Sequence, residues 1–187
     1  MTDEYIESSL RKGFDANMYG MVIRVKELQG SYQHIVPNYW FSRAISDSYR
    51  MYISGQFYGI ISTCQSYVET LGKLICKLNS ITPAKNDTIK DWEKLKKSQI
   101  VKDETLGAVI NIYKNRNDDH HMNSVLNTNA LELKNIALSY LKNINTIDTD
   151  VFAHTFDNGK LAPSVALHWP IKSENPSLVD VFIRNVP

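Results

Sequence analysis

The sequence lacks any stretch long and apolar enough to span a bilayer, which takes about 20 residues. Its N-terminus, MTDEYIESSL, is acidic and has no apolar signal region. Both absences point to a cytoplasmic protein without membrane attachment. An excess of charge is also missing: 21 Lys and Arg face 20 Asp and Glu, a formal net charge of +1. No global basic field exists to grip long nucleic acid non-specifically, although a small nuclease acting on one local phosphate remains compatible. Cysteine is nearly absent. Cys64 and Cys76 share one apolar segment and, on a helix, stand about 18 Å apart along the axis, too far to bond. They read as free core thiols of a reducing compartment. There is no internal repeat and no low-complexity tract. With no disulfide framework, the fold must rest on its core, and 187 residues suffice for one.

What is present is helical periodicity. Hydrophobic residues make up 43% and charged residues 22%, ordinary values for a globular chain. Residues 1–15 are polar and read as a short, frayed segment. From Ala16, apolar residues at Tyr19, Val22, Val25 and Leu28 predict a helix ending near Gly30. Pro37 breaks the chain. Trp40, Phe41, Ala44, Ile45, Tyr49 and Tyr52 predict a second helix ending at Gly55, its aromatics serving a core or dimer face rather than a stacking platform for bases. Phe57, Ile61, Cys64, Val68, Leu71, Ile75 and Leu78 alternate steps of four and three without a fault, one seam along a central helix. Its opposite face would carry Ser62, Gln65, Ser66, Glu69, Lys73 and Lys77, with Glu69 and Lys73 placed to pair.

Asp87 is a candidate cap for a lysine-rich helix that reads as a solvated face. Leu106, Val109, Ile110 and Tyr113 mark a further short helical face. Met122, Leu126, Leu133, Ala137, Tyr140 and Ile144 mark a long one, with a weak spot at Asn127-Thr128-Asn129. After Asp150 the pattern changes. Asp157-Asn158-Gly159-Lys160 signals a tight turn, and residues 151–156, 164–169 and 179–183 look extended. The expected organisation is a polar segment over 1–15, a bundle of four to five helices over 16–148, and a small extended or β appendage over 149–187. That appendage could equally be an arm laid on the bundle or on a partner.

Chemistry concentrates in Lys114-Asn115-Arg116-Asn117-Asp118-Asp119-His120-His121, between the last two predicted helices. A guanidinium can hold a phosphate through paired hydrogen bonds and offset the charge that grows in the transition state. An imidazole, with an unperturbed pKa of about 6.5, can move the proton of an attacking or departing oxygen. With RNA the attacking group can be the adjacent 2′-hydroxyl, so no metal-activated water is needed. Adjacent ligands on a helix do not converge on one ion, and His34, His154 and His168 are scattered; no metal or other cofactor is expected. A plain solvated turn is the competing reading.

Arg116-Asn117, three residues, then His121 resembles the motif of HEPN domains (higher eukaryotes and prokaryotes nucleotide-binding). The segment from Gly55-Gln56-Phe57-Tyr58 to Ser66-Tyr67-Val68-Glu69-Thr70-Leu71-Gly72-Lys73 is similar to that family's long second helix. The likeness covers roughly residues 38–145. It implies an all-α up-and-down bundle, often a homodimer whose two motifs share a composite cleft. It also implies a metal-independent endoribonuclease acting as a toxin, abortive-infection or antiviral defence effector, with RNA or a nucleotide as ligand and an antitoxin or defence-system protein as a further partner. Carried over, Arg116 polarises the phosphate, His121 is the acid–base group and Asn117 supports them. His120, Lys114 and Glu69 are accessory candidates. Asp118 and Asp119 depart from the motif, because their charge opposes phosphate binding unless it is turned away or paired. Family members without nuclease activity exist, so a nucleotide- or RNA-binding sensor and a structural interaction domain stand as alternatives.

Overall fold

The computed structural model describes residues 2–29, 35–114, 129–157, 160–165, 168–169 and 181–184. It is mainly helical, a bundle with small β pairings. In order come α1 (Asp3–Leu28), β1 (Ile35–Val36), α2 (Tyr39–Ser54), α3 (Phe57–Leu78), α4 (Thr88–Lys97), α5 (Asp103–Tyr113), α6 (Ala130–Val151), β2 (His154–Asp157), β3 (Lys160–Pro163) and β4 (Phe182–Ile183).

The α2–α3 hairpin follows its local signals. Asn38 caps α2, its Oδ1 accepting from the amides of Trp40 (2.9 Å) and Phe41 (3.3 Å). Gly55 ends α2 at φ +85°, a left-handed conformation that glycine adopts without strain. So short a link makes α2 and α3 antiparallel neighbours. In the predicted seam, Ile61, Cys64, Val68, Leu71 and Ile75 are buried, whereas Leu78 is exposed. Burial spreads beyond the seam to Ile60, Gln65, Tyr67, Gly72 and Cys76, because α2, α4, α5 and α6 all pack on α3. Gln65 is therefore not on a solvent face; its side-chain amide donates to the Ile112 carbonyl at 3.4 Å. Among the α2 aromatics Phe41, Tyr49 and Tyr52 enter the core, while Tyr39 and Trp40 stay exposed.

α4 starts at Asp87, which accepts from the Lys90 amide. Its Trp92 is fully buried and donates from Nε1 to the Val68 carbonyl at 3.2 Å. A Cβ on Gly72 would lie 2.5 Å from that nitrogen, so the absent side chain lets the two helices approach. The surface lysines here hold local acceptors: Lys90 pairs with Asp87, Lys96 with Asp103, and Lys94 donates to the Thr82 carbonyl.

α5 buries Thr105, Ala108, Val109 and Ile112, a face rotated from the expected Leu106–Val109–Ile110–Tyr113 set; Ile110 points outward. The reason lies at its N-terminus. Asp150 of α6 accepts from Thr105 Oγ1 (2.6 Å) and the Lys102 amide (3.1 Å), and pairs with Lys102 Nζ (3.0 Å). A carboxylate from another helix thus sits at the positive end of α5 and fixes its rotation. α6 begins at Ala130, with Asn129 as cap accepting from the Glu132 amide at 2.9 Å. The expected weak spot is a helix start, and the predicted Met122 and Leu126 turns lie outside the described residues.

The C-terminal segment lies on the bundle. β2 and β3 form the anticipated hairpin, pairing His154 with Pro163 and Asp157 with Lys160. The described residues of the expected 164–169 strand are not extended: Ser164 and Val165 bend, and His168 and Trp169 form a short turn buried in the core. β4 pairs antiparallel with β1, Ile35 opposite Ile183 and Val36 opposite Phe182, a contact with no local sequence signal. Just past β4, Arg184 enters the interior. Its Nη1 donates to Asp148 Oδ2 at 2.6 Å, and its Nη2 to Tyr67 Oη at 2.9 Å and the Phe41 carbonyl at 3.3 Å. Tyr67 Oη completes the triangle on Asp148 Oδ1 at 2.6 Å. Two helices also run through expected boundaries: α1 is continuous across residues 15 and 16, and α6 across 148 and 149.

Three outcomes follow in unfolding experiments. Arg184→Ala leaves Asp148 buried without its cation and lowers stability by about 3–5 kcal/mol in denaturant titration; a loss under about 1 kcal/mol contradicts the network. Gly72→Ala forces Trp92 off Val68 and costs about 1–3 kcal/mol despite alanine's better helix propensity. Burial works against the Asp150 carboxylate, but its bonds from Thr105 and Lys102 hold it below the ordinary carboxylate range. Its contribution is then complete above the unfolded value, near 4, and is lost as pH falls through the lower folded value. Asp150→Asn should lower stability at neutral pH and flatten that acid limb; an unchanged pH profile contradicts this.

Candidate functional site at the C-terminal end of α5

α5 presents its last turn to the middle of α3. Tyr113 Oη donates to Glu69 Oε2 at 3.2 Å, and Glu69 Oε1 accepts from Lys73 Nζ at 2.6 Å. The bond to Glu69 raises the Lys73 pKa, so the ammonium stays charged at neutral pH. Glu69, an accessory candidate, has an identifiable job here: its Oε2 ties the end of α5 to α3 through Tyr113, while Oε1 is held by Lys73 on α3 itself. Lys114 follows as the exposed C-terminal residue, its amide donating to the Ile110 carbonyl at 2.9 Å. A helix C-terminus carries partial negative charge, so a lysine there, and an arginine two residues on in sequence, suits the dipole.

Helix lengths say where the chain leaves. α5 has 11 residues and α6 has 22, about 16 Å and 33 Å long. Asp150 fixes the start of α5 at the end of α6, and the two pack side by side. They therefore run antiparallel, and the chain departs from α5 about halfway along α6. Arg116, Asn117, Asp118, Asp119, His120 and His121 lie outside the described residues, and with them the expected pairing of Arg116 and His121.

The described residues hold few rivals for chemistry. A cavity of about 260 Å³ opens between the end of α1, α2 and α6, lined by Glu27, Tyr49, Leu141, Lys142 and Asn145 among others. Burial works against the Glu27 carboxylate, but bonds from Lys134 (2.6 Å) and Tyr52 Oη (2.8 Å) bring its pKa below the ordinary value. It is a fixed anion, not a proton carrier near pH 7. Burial drives the Cys64 thiol far up and pushes Cys76 up to about 11, so neither is a thiolate nucleophile. Both cysteines are free. His168 sits between the Val151 carbonyl at Nδ1 (3.1 Å) and the Ile100 carbonyl at Nε2 (2.7 Å); burial lowers its pKa, and the ring ties α6 to the α4–α5 link. His154 lies against the Phe152 carbonyl at 3.4 Å. No cluster of three His, Cys, Asp or Glu able to hold a metal occurs among the described residues. No helix among them is long and apolar enough to cross a membrane.

Two ionic groups escaped the sequence reading. Asp148 continues the spacing of Ala137, Leu141, Ile144 and Ile147, and that position on a buried stripe was a legible sign. Arg184 and the Glu27–Tyr52–Lys134 cluster had no such sign, because their partners are remote in sequence. Comparison with protein-family models, with curated proteins and with solved structures finds no match.

Glu69→Gln removes one charge from the partly exposed pair, so it should cost under about 1 kcal/mol. It should also speed amide hydrogen exchange in residues 110–114, where the last turn of α5 loses its brace. Unaltered exchange there contradicts the bracing role.

Proposed function

We propose that the chain is a metal-independent endoribonuclease of the HEPN type, serving as a defence or toxin effector. The observation that supports this reading most is placement. In sequence, the run containing Arg116, Asn117 and His121 follows directly on α5, between the last two described helices of a bundle, and the last turn of α5 is braced by the Glu69–Tyr113 contact. Among the described residues, neither the buried thiols nor the ion-paired carboxylates provide a competing acid–base pair.

In the proposed reaction the Arg116 guanidinium binds the scissile phosphate and offsets the charge that accumulates on its oxygens. The RNA 2′-oxygen attacks phosphorus, the bond to the 5′-oxygen breaks, and the products end in a 2′,3′-cyclic phosphate and a 5′-hydroxyl. His121 moves the proton, from the attacking hydroxyl or onto the departing oxygen. Asn117 donates an amide hydrogen bond to the phosphate. Lys114 adds positive charge at the rim. A second reading, an interaction domain without catalysis, draws on a separate observation: the exposed apolar face of α1.

The test is incubation with RNA in excess chelator. Wild type cuts; Arg116→Ala and His121→Ala each lose about 100-fold or more; His120→Ala retains most of the activity. Cleavage abolished by the chelator, or equal in the wild type and both variants, overturns the proposal. So does the absence of cleavage on every RNA tried.

A further inference from the structure

The first half of α1 carries an apolar stripe that no described residue covers. Every residue from 2 to 19 is exposed. On the bundle side, Met21 and Val25 are partly buried and Leu28 is buried, while Arg24 Nε anchors to the Ile53 carbonyl at 2.7 Å. The same stripe, continued towards the N-terminus at steps of three and four, runs through Met18, Phe14, Leu10 and Ile6. These are 43%, 54%, 69% and 41% exposed. A stripe that is core at one end and bare at the other is unfinished packing. It is also poor helix economics for a lone arm. About 16 residues without tertiary cover, including Gly13, are marginal as a helix in water.

Charge identifies the cover. Glu7 is paired with Arg11 and Glu27 with Lys134, so Asp3 and Glu4 make the arm's tip acidic, while Arg24 and Lys26 make the base of the helix basic. An antiparallel copy brings tip against base; a parallel copy sets acid against acid. A two-fold axis at Phe14 places Ile6 opposite the second copy's Val22 and Leu10 opposite its Met18, with Phe14 meeting itself. The isologous symmetry of a common homodimer needs no further device. The receiving surface exists: an apolar groove of about 420 Å³, lined by Phe14, Met18, Val22, Val25 and Ile53 among others.

We infer that α1 is a dimerisation arm, which packs antiparallel on the α1 of a second copy of this chain and lays Ile6 and Leu10 into that copy's groove. The inference rests on α1 alone and not on the nuclease reading, whose candidate residues follow α5 in sequence.

The experiment uses the whole 187-residue chain. Light scattering over a concentration series should show wild type at twice the 21.4 kDa chain mass. Leu10→Asp with Phe14→Asp should halve that mass while leaving the cooperative unfolding of the bundle intact. Phe14→Cys, oxidised, should link to itself, because this residue sits on the axis, whereas Ile6→Cys should not. Three outcomes overturn the inference: a wild-type monomer at every concentration, a dimer that survives the double substitution, or self-linkage by Ile6→Cys, which signals parallel arms. A wild-type monomer that binds anionic vesicles through these residues overturns it in favour of a lipid surface.

Discussion

The ion pair between Arg184 and Asp148 is the contact on which the arrangement of the bundle turns. Both side chains are almost wholly buried, and burying two charges costs several kcal/mol each unless every bond is made. Burial pushes the Asp148 pKa upward, and Arg184 and Tyr67 work against that push. Burial would lower the Arg184 pKa, yet the facing Asp148 carboxylate raises it overall, so the guanidinium stays charged. The bonds of this one group reach α2 through Phe41, α3 through Tyr67, α6 through Asp148 and β4 through its own neighbour Ile183. A chain end that supplies the cation for a core carboxylate is part of the bundle, whatever its local pattern suggests.

That is why the helices were legible in the sequence and the C-terminal segment was only half so. The α3 seam, the Asn38 and Asp87 caps, the Gly55 stop and the turn at residues 157–160 are local devices, written within a few residues of where they act. The rotation of α5 is not local; it is imposed by Asp150, 45 residues beyond Thr105. The burial of Gln65 follows from four helices closing around α3, which periodicity along one helix does not register. The β1–β4 pairing joins residues near positions 35 and 183: the extended character of 179–183 was legible, but its partner strand and the pairing were not. As for the candidate site, the sequence names its residues, which lie outside the described ones; the structure describes the end of α5 before them, braced by Tyr113 and Glu69.

The site and the arm make different demands on stability. The end of α5 is held by a partly exposed pair and lies at the edge of a well-buried centre, which suits the proposed role of the polar run after it in meeting a large substrate. The first half of α1 carries its apolar stripe away from that centre. If two copies join through their arms, the two candidate sites belong to one particle while each bundle keeps its own core.

The central chemical claim is that the nucleophile comes from the RNA itself. Its most direct test is an RNA with a single 2′-deoxy sugar at the mapped cleavage position, alongside analysis of the product ends. The account predicts that this one missing hydroxyl abolishes cutting at that position, and that the all-ribose substrate yields 2′,3′-cyclic phosphate and 5′-hydroxyl ends. Undiminished cutting of the 2′-deoxy substrate, or 5′-phosphate ends, would contradict it.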